Sequence, residues 1–347
     1  TINDMNFYKY AKKFLSIKSP RVKYLSLLGA HLTGMRYIGV YLDPVMACNI
    51  RCQMCAFSDP DARPRPLPKF TAERLSEVSR ALFRRTLKLQ LGCSAEPTLS
   101  PDLEAFVAEG RRQGIPAIEL TTNGQLLDFD RLNALVDAGL TGITISLHGT
   151  TRQTYEHLMQ SAKFDNLLRL VDAIKRVQAK HPGFLLRINY TFNNLNVAEM
   201  AGIPELFDGA KISVLQLRPI QNLGENTAYH DFDLSDIYNR YDELVAPVRR
   251  RAAESGVMCV APERENLLAL DAHAVDPVAA VVEHLTYCFV TSTSAYHADF
   301  DPAREDFNAY HRRHGLTRRL ARAVFTGRFD LDDLKINVTK KLNYTIK

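Results

Sequence analysis

Between residues 37 and 217, short apolar runs alternate with longer stretches whose apolar side chains recur every three or four positions. The first pattern predicts strands and the second amphipathic helices. In order, the strands fall at 37–42, 87–91, 117–121, 143–147, 184–191 and 212–217. The helices between them fall at 71–84, 102–113, 129–138, 164–180 and 197–206. Strands and helices alternating at this spacing imply parallel βαβ units. The predicted fold is therefore α/β, a partial (β/α)6 TIM-type barrel, and such barrels gather ligands at the C-terminal ends of their strands.

The flanks read as helical. Over 3–16, Phe7, Tyr10, Ala11, Phe14 and Leu15 share one face, while Lys9, Lys12 and Lys13 lie off it. Pro20 interrupts the pattern, and a second helix follows over 22–35 with Leu25, Leu28 and Leu32. A basic amphipathic helix suits either a membrane surface or the open end of a barrel. The barrel is preferred here, because amphipathic helices mostly cover cores. After residue 222 comes a long helical stretch over 233–255, with Arg249, Arg250 and Arg251 on its solvated face. The tract from Tyr296 to Asp301 reads as a polar loop, and a basic helix over 316–325 closes a mainly helical C-terminal extension. The division expected is a helical hairpin over 1–36, a barrel over 37–222 and the extension over 223–347.

A hydrophobic share of 46% and a charged share of 24% are those of an ordinary soluble globular chain. The net charge of +5 is too mild, and too little paired with aromatic platforms, to argue for nucleic-acid binding. No apolar run is long enough to span a bilayer. Lys9, Lys12 and Lys13 interrupt any signal-peptide core. Six cysteines, three of them clustered, then point to a reducing, cytoplasmic setting.

Those three are Cys48, Cys52 and Cys55, on the loop that leaves the first strand. Thiolates are soft ligands that select iron–sulfur clusters, zinc or copper(I). Zinc would want a fourth Cys or His at similar range, and the next cysteine, Cys93, lies far downstream. Three thiols suit a 4Fe–4S cluster with one iron left open. This spacing is the signature of the radical S-adenosylmethionine (SAM) superfamily, which the chain resembles over roughly residues 37–220, nearest to its SPASM/twitch-type branch.

Further motifs carry the resemblance at successive strand ends. Gly92-Cys93-Ser94-Ala95-Glu96-Pro97 is similar to the family's Gly-Gly-Glu-Pro motif, although Cys93 and Ala95 replace expected glycines. The resemblance implies that Glu96 receives the SAM ammonium group, and a carboxylate is the strongest acceptor for a cation. Thr122 and Asn123, followed by Gly124, could hold the ribose or the SAM carboxylate; Ser146 stands where similar enzymes bind that carboxylate. Met54 and Phe57 are the candidates for packing on adenine, where relatives often carry an aromatic before the third cysteine.

His148 stands where many relatives have Asp. It is expected to share the direction of Ser146, touch substrate and move a proton near neutral pH. Arg187 and Asn189 share one face of the fifth strand, as Gln216 and Arg218 do on the sixth. Arginines there suit a carboxylate or phosphate. Cys259 and Cys288, even with Cys93, fall short of the cysteine set of an auxiliary cluster.

The resemblance implies reductive cleavage of SAM at the cluster to a 5′-deoxyadenosyl radical that abstracts hydrogen from substrate, with electrons from a flavodoxin- or ferredoxin-type partner. A small polar metabolite, of the sugar or nucleotide-sugar kind, is the leading substrate class. A maturase that modifies a ribosomal peptide, and a non-catalytic iron–sulfur scaffold or electron carrier, are the alternatives.

Overall fold

The computed structural model describes residues 13–14, 16–59, 65–220, 232–267 and 277–329. Its strands are β1 (Ile38–Leu42), β2 (Arg51–Cys52), β3 (Thr86–Leu91), β4 (Ala117–Thr122), β5 (Gly142–Leu147), β6 (Met159–Gln160), β7 (Leu185–Phe192), β8 (Ile212–Pro219), β9 (Met258–Val260) and β10 (Tyr287–Val290). Among the described residues, eight of them form one sheet in the order β10-β1-β3-β4-β5-β7-β8-β9, and every neighbouring pair is parallel. The helices are α1 (Pro20–Thr33), α2 (Ala72–Leu82), α3 (Leu103–Arg112), α4 (Phe129–Ala138), α5 (Arg152–Leu158), α6 (Phe164–Lys180), α7 (Ile203–Leu206), α8 (Ser235–Asn239), α9 (Tyr241–Leu244), α10 (Ala246–Glu254), α11 (Pro277–Thr286), α12 (Phe307–Arg313) and α13 (Leu316–Thr326).

The sheet is built on two phases of side chains. Val40, Leu89, Leu120, Ile145, Ile188 and Leu217 are buried in one core with Leu82, Val107, Leu135 and Ile174 of the surrounding helices. The opposite phase, which lines the lumen, is polar. It carries Lys88 and Gln90 on β3, Glu119 and Thr121 on β4, Thr144 and Ser146 on β5, Arg187 and Asn189 on β7, and Gln216 and Arg218 on β8. Lys88 Nζ meets Glu119 Oε2 at 2.7 Å, and both side chains are almost wholly enclosed. On β1 the Tyr41 ring folds back over Gly39, where a Cβ would stand 2.8 Å from it. It stacks on Tyr287 of β10 with centroids 4.3 Å apart.

All six strands read from the pattern are present. Of the four strands beyond the six, β2 and β6 pair with each other, while β9 and β10 come from residues after 222 and extend the sheet at either edge. The expected long helix over 233–255 is broken into α8, α9 and α10, and Pro247 opens the last of these, where its missing N–H costs nothing. Arg250 and Arg251 are exposed as expected, whereas Arg249 is half-buried. It donates to both carboxylate oxygens of Glu263 at 2.9 Å and to Tyr241 Oη at 2.6 Å, pinning α10 to the loop after β9.

The helix expected over 3–16 lies outside the described residues except at 13, 14 and 16. The helix after it, α1, packs Tyr24 and Leu27 against Val281 and Leu285 of α11 and Leu316, Leu320 and Ala323 of α13. Arg85, immediately before β3, donates to the carbonyls of Ala30 and His31 at the end of α1, at 3.1 and 3.0 Å. This layer therefore sits at the N-terminal ends of the strands. The tract from Tyr296 to Asp301 is a loop, as expected, with Asp299 exposed, but its imidazole is packed inward: the His297 ring stacks on His284 at 4.1 Å, and burial lowers the two imidazoles to about 3 and about 4.

Candidate active site

At the other end of the sheet, the loops leaving β1 and β3 are joined by buried acceptors. Asp43, the residue after β1, is 2% exposed. Its carboxylate accepts from the backbone N–H of Cys93 at 2.7 Å and of Ser94 at 3.0 Å. Gly92 N–H donates to Leu42 O, and Glu96 N–H to Ala47 O, both at 2.9 Å. Gly92 has φ +85°, and a Cβ there would lie 2.5 Å from the Thr121 carbonyl oxygen. Only glycine fits that turn.

Glu96 is 2% exposed and faces four donors. Oε1 accepts from Thr98 N–H at 3.1 Å, Thr98 Oγ1 at 2.5 Å and Thr122 Oγ1 at 2.8 Å; Oε2 accepts from Asn123 N–H at 2.8 Å. Burial raises the carboxyl above its usual range, against the pull of those hydrogen bonds. Thr122 is thus an orienter of Glu96, and Oε2 keeps a lone pair for a further donor.

Asn123 links this carboxylate to the cysteine loop. Its Nδ2 donates to Asn49 Oδ1 at 2.8 Å and lies 3.7 Å from Cys48 Sγ. The loop itself is braced by the antiparallel β2–β6 ribbon, which pairs Cys52 with Met159. Arg51 donates to the carbonyls of Cys48 and Ile50 at 2.8 and 2.7 Å, and Ser58 Oγ to Cys52 O at 2.5 Å. Cys48, Cys52 and Cys55 are all free thiols. Burial pushes each above the usual thiol value, Cys52 well above, and Cys48 and Cys52 each feel the charge of Cys55. Among the described residues no three His, Cys, Asp or Glu side chains converge on a point suited to a single metal ion. A cubane, whose irons take one thiolate each, needs no such convergence. Free, clustered, partly buried thiols on a braced loop are a donor set that fits an iron–sulfur cluster. Met54 is half-buried and Phe57 buried on the same loop.

Farther along the rim, half-buried Ser146 pairs in register with Asn189, which pairs with Gln216. Arg187 donates through Nε to Asn189 Oδ1 at 2.9 Å and through Nη2 to Gln216 Oε1. Arg218 lies on the neighbouring strand, opposite Thr191. His148 departs from expectation. β5 ends at Leu147, and the imidazole is enclosed, 8% exposed, with Nδ1 buried and unbonded. Burial lowers its pKa to about 4, assisted by the Arg218 charge and opposed by a hydrogen bond to the Thr191 carbonyl. At neutral pH it is an uncharged hydrogen-bonding group.

Sequence reasoning missed Asp43 and Asn49. An acid directly after a barrel strand was the available signal for Asp43; Asn49 offered none. Cys93 is exposed on the β3 loop, Cys259 is on β9, and Cys288 is buried in the main core.

A family profile described as "Radical SAM superfamily" matches residues 44–200. The GTP 3′,8-cyclase of Aquifex aeolicus is 29% identical over 203 residues, 57% of this chain and 60% of that protein. The GTP 3′,8-cyclase of Chlorobaculum tepidum is 26% identical over 180 residues, 51% of this chain and 52% of that protein. The chain thus spans about six tenths or less of the length of these curated relatives. Among solved structures, Streptococcus suis SuiB bound to precursor peptide SuiA superposes with a TM-score of 0.59 at 14% identity, over 82% of this chain and 67% of that one. That likeness is one of fold.

Proposed function

We propose that this chain, which the radical SAM family profile matches over residues 44–200, is a radical SAM enzyme using a 4Fe–4S cluster and SAM, and that it abstracts hydrogen from a small anionic metabolite of the sugar or nucleotide-sugar kind. The observation that carries this reading is the polar lumen, with Arg187 and Arg218 on adjacent strands among the amides of Asn189 and Gln216. Guanidinium groups oriented in this way suit phosphate or carboxylate, and the amides suit hydroxyls. The relatives' substrate, GTP by their names, is itself a phosphorylated sugar bearing a base, which supports the same class.

In this reading Cys48, Cys52 and Cys55 hold the cluster, and the Asn123 amide near Cys48 Sγ tunes it by drawing density from sulfur. Glu96 Oε2 accepts the SAM ammonium group. Ser146 and Asn189 donate to its carboxylate, and Met54 and Phe57 pack on adenine. When bound, the two cofactors supply the one-electron reductive chemistry from which hydrogen abstraction starts. The family's need for a reductant is met by a flavodoxin- or ferredoxin-type protein, in the cytoplasm.

Anaerobic reconstitution tests the first half: about four irons per chain are expected, and essentially none in a variant with all three loop cysteines changed to Ala. For the second half, 5′-deoxyadenosine release is measured with panels of sugar phosphates, nucleotide-sugars and peptides. Arg218→Gln should raise KM for the active anionic substrate roughly tenfold or more, leaving slow substrate-free SAM cleavage intact. Stimulation by peptides alone would overturn the metabolite reading and leave a maturase.

A further inference from the structure

Helix α1 is apolar on two faces. Tyr24 and Leu27 are sealed against α11 and α13. On the outer side Val22, Leu25 and Leu32 are 46%, 55% and 63% exposed, and Met35, just past the helix, is 60% exposed. Residues 22, 25 and 32 are three and seven apart, so they form one stripe. Phe325 of α13, 80% exposed, stands close to the start of this stripe: a Cβ on Gly327, two residues further, would lie 3.4 Å from Arg21 Nε. Large apolar side chains gathered on one face of a soluble protein mark an interaction site.

Charge identifies what covers it. No Asp or Glu occurs from residue 5 to 42 or from 307 to 329. The two helices between them carry Arg21, Lys23, Arg318, Arg319 and Arg322. In the whole chain, by contrast, 39 acids nearly balance 44 bases, so the excess is local. A second copy of this chain would bring the same positive charge against itself. The segment 1–12, with Lys9 and Lys12 and one acid, Asp4, matches the charge no better. Exposed leucines and phenylalanine bordered by arginines are instead the composition of a helix lying in a membrane interface. The layer is also firmly mounted, since Arg85 ties the end of α1 to the base of β3.

We infer that the α1–α13 face docks peripherally on an anionic phospholipid bilayer. The apolar stripe enters to headgroup depth, and the arginines lie over lipid phosphates. Because this layer is at the N-terminal ends of the strands, the active-site mouth points away from the lipid. The inference stands independently of the substrate.

Cosedimentation of the full-length protein with vesicles tests it, using phosphatidylcholine alone and phosphatidylcholine with about a third phosphatidylglycerol. The expected result is partitioning onto the anionic vesicles that falls at high salt, with roughly tenfold less binding to the neutral ones. Arg318→Ser with Arg322→Ser should weaken binding roughly tenfold, and Leu25→Glu with Leu32→Glu should abolish it at unchanged near-ultraviolet circular dichroism. If that pair fails to fold, Phe325→Ser serves in its place. No binding, equal binding to both vesicles, or binding indifferent to all these changes overturns the proposal. So does a dimer in sedimentation velocity that Leu32→Glu dissociates, which would give the face to a second copy of the chain.

Discussion

Glu96→Gln separates the structural work of this carboxylate from any it performs on a ligand. The acid has three donors at Oε1 and one at Oε2. A glutamine keeps most by leaving its carbonyl with Thr98 and Thr122 and turning its amide toward Asn123 N–H, which then meets a donor at the 2.8 Å position. That loses one charge-assisted bond of roughly 1.5–3 kcal/mol and leaves a buried N–H unsatisfied at about 1–3 kcal/mol. Removing a desolvated charge returns part of the sum, because burial already raises this carboxyl. The expected net loss is about 2–4 kcal/mol, or roughly 3–6 °C in Tm for a chain of this length. Urea denaturation of the cluster-free, SAM-free protein reads it directly. SAM affinity of the reconstituted enzyme, by equilibrium dialysis, should fall about tenfold to a hundredfold besides. If the ligand-free variant stays within about 0.5 kcal/mol of the parent, Glu96 does not hold the strand-end loops together and the reasoning fails.

Gly92→Ala should cost about 2–4 kcal/mol in the same denaturation assay, since the methyl meets the Thr121 carbonyl oxygen at 2.5 Å in a left-handed conformation; parent-like stability would refute that turn. Lys88→Met leaves Glu119 buried without its partner and should cost about 3–5 kcal/mol, much of it recovered by adding Glu119→Leu; an additive double variant would refute the coupling. For His148 the folded ring binds its proton less tightly than the unfolded one, so its contribution is complete above the ordinary value of 6.5 and is lost as pH falls toward about 4. Between pH 7 and pH 4 the parent should lose about 3 kcal/mol more than His148→Gln, and parallel pH profiles would show that the imidazole is not enclosed.

The six central strands were legible because each presents an unbroken apolar phase to the helices, such as Leu186, Ile188 and Tyr190 on β7. β9 and β10 were not: three and four residues are too few to establish a period, and their partners β8 and β1 are distant in sequence. Seven-residue α5 escaped for the same reason. In the site, the thiols and Glu96 announced themselves through spacing and neighbours. Asp43 and Asn49 did not, because one polar residue beside a strand says nothing until another loop closes over it. The enclosure of His148 depends on where β5 stops, which strand alternation misjudged.

One side chain on the β4 loop sets a thermodynamic condition on assembly. Asn123 commits its N–H to Glu96, accepts Gln125 N–H on Oδ1, and turns Nδ2 toward Asn49 and Cys48. With the cluster on the thiols and SAM on Glu96, as proposed, the two occupancies are linked equilibria rather than separate ones. Whatever factor reconstitution adds to SAM affinity, SAM must return in cluster retention. The protein would hold its iron longest in SAM-containing buffer, and removal of either component would hasten departure of the other.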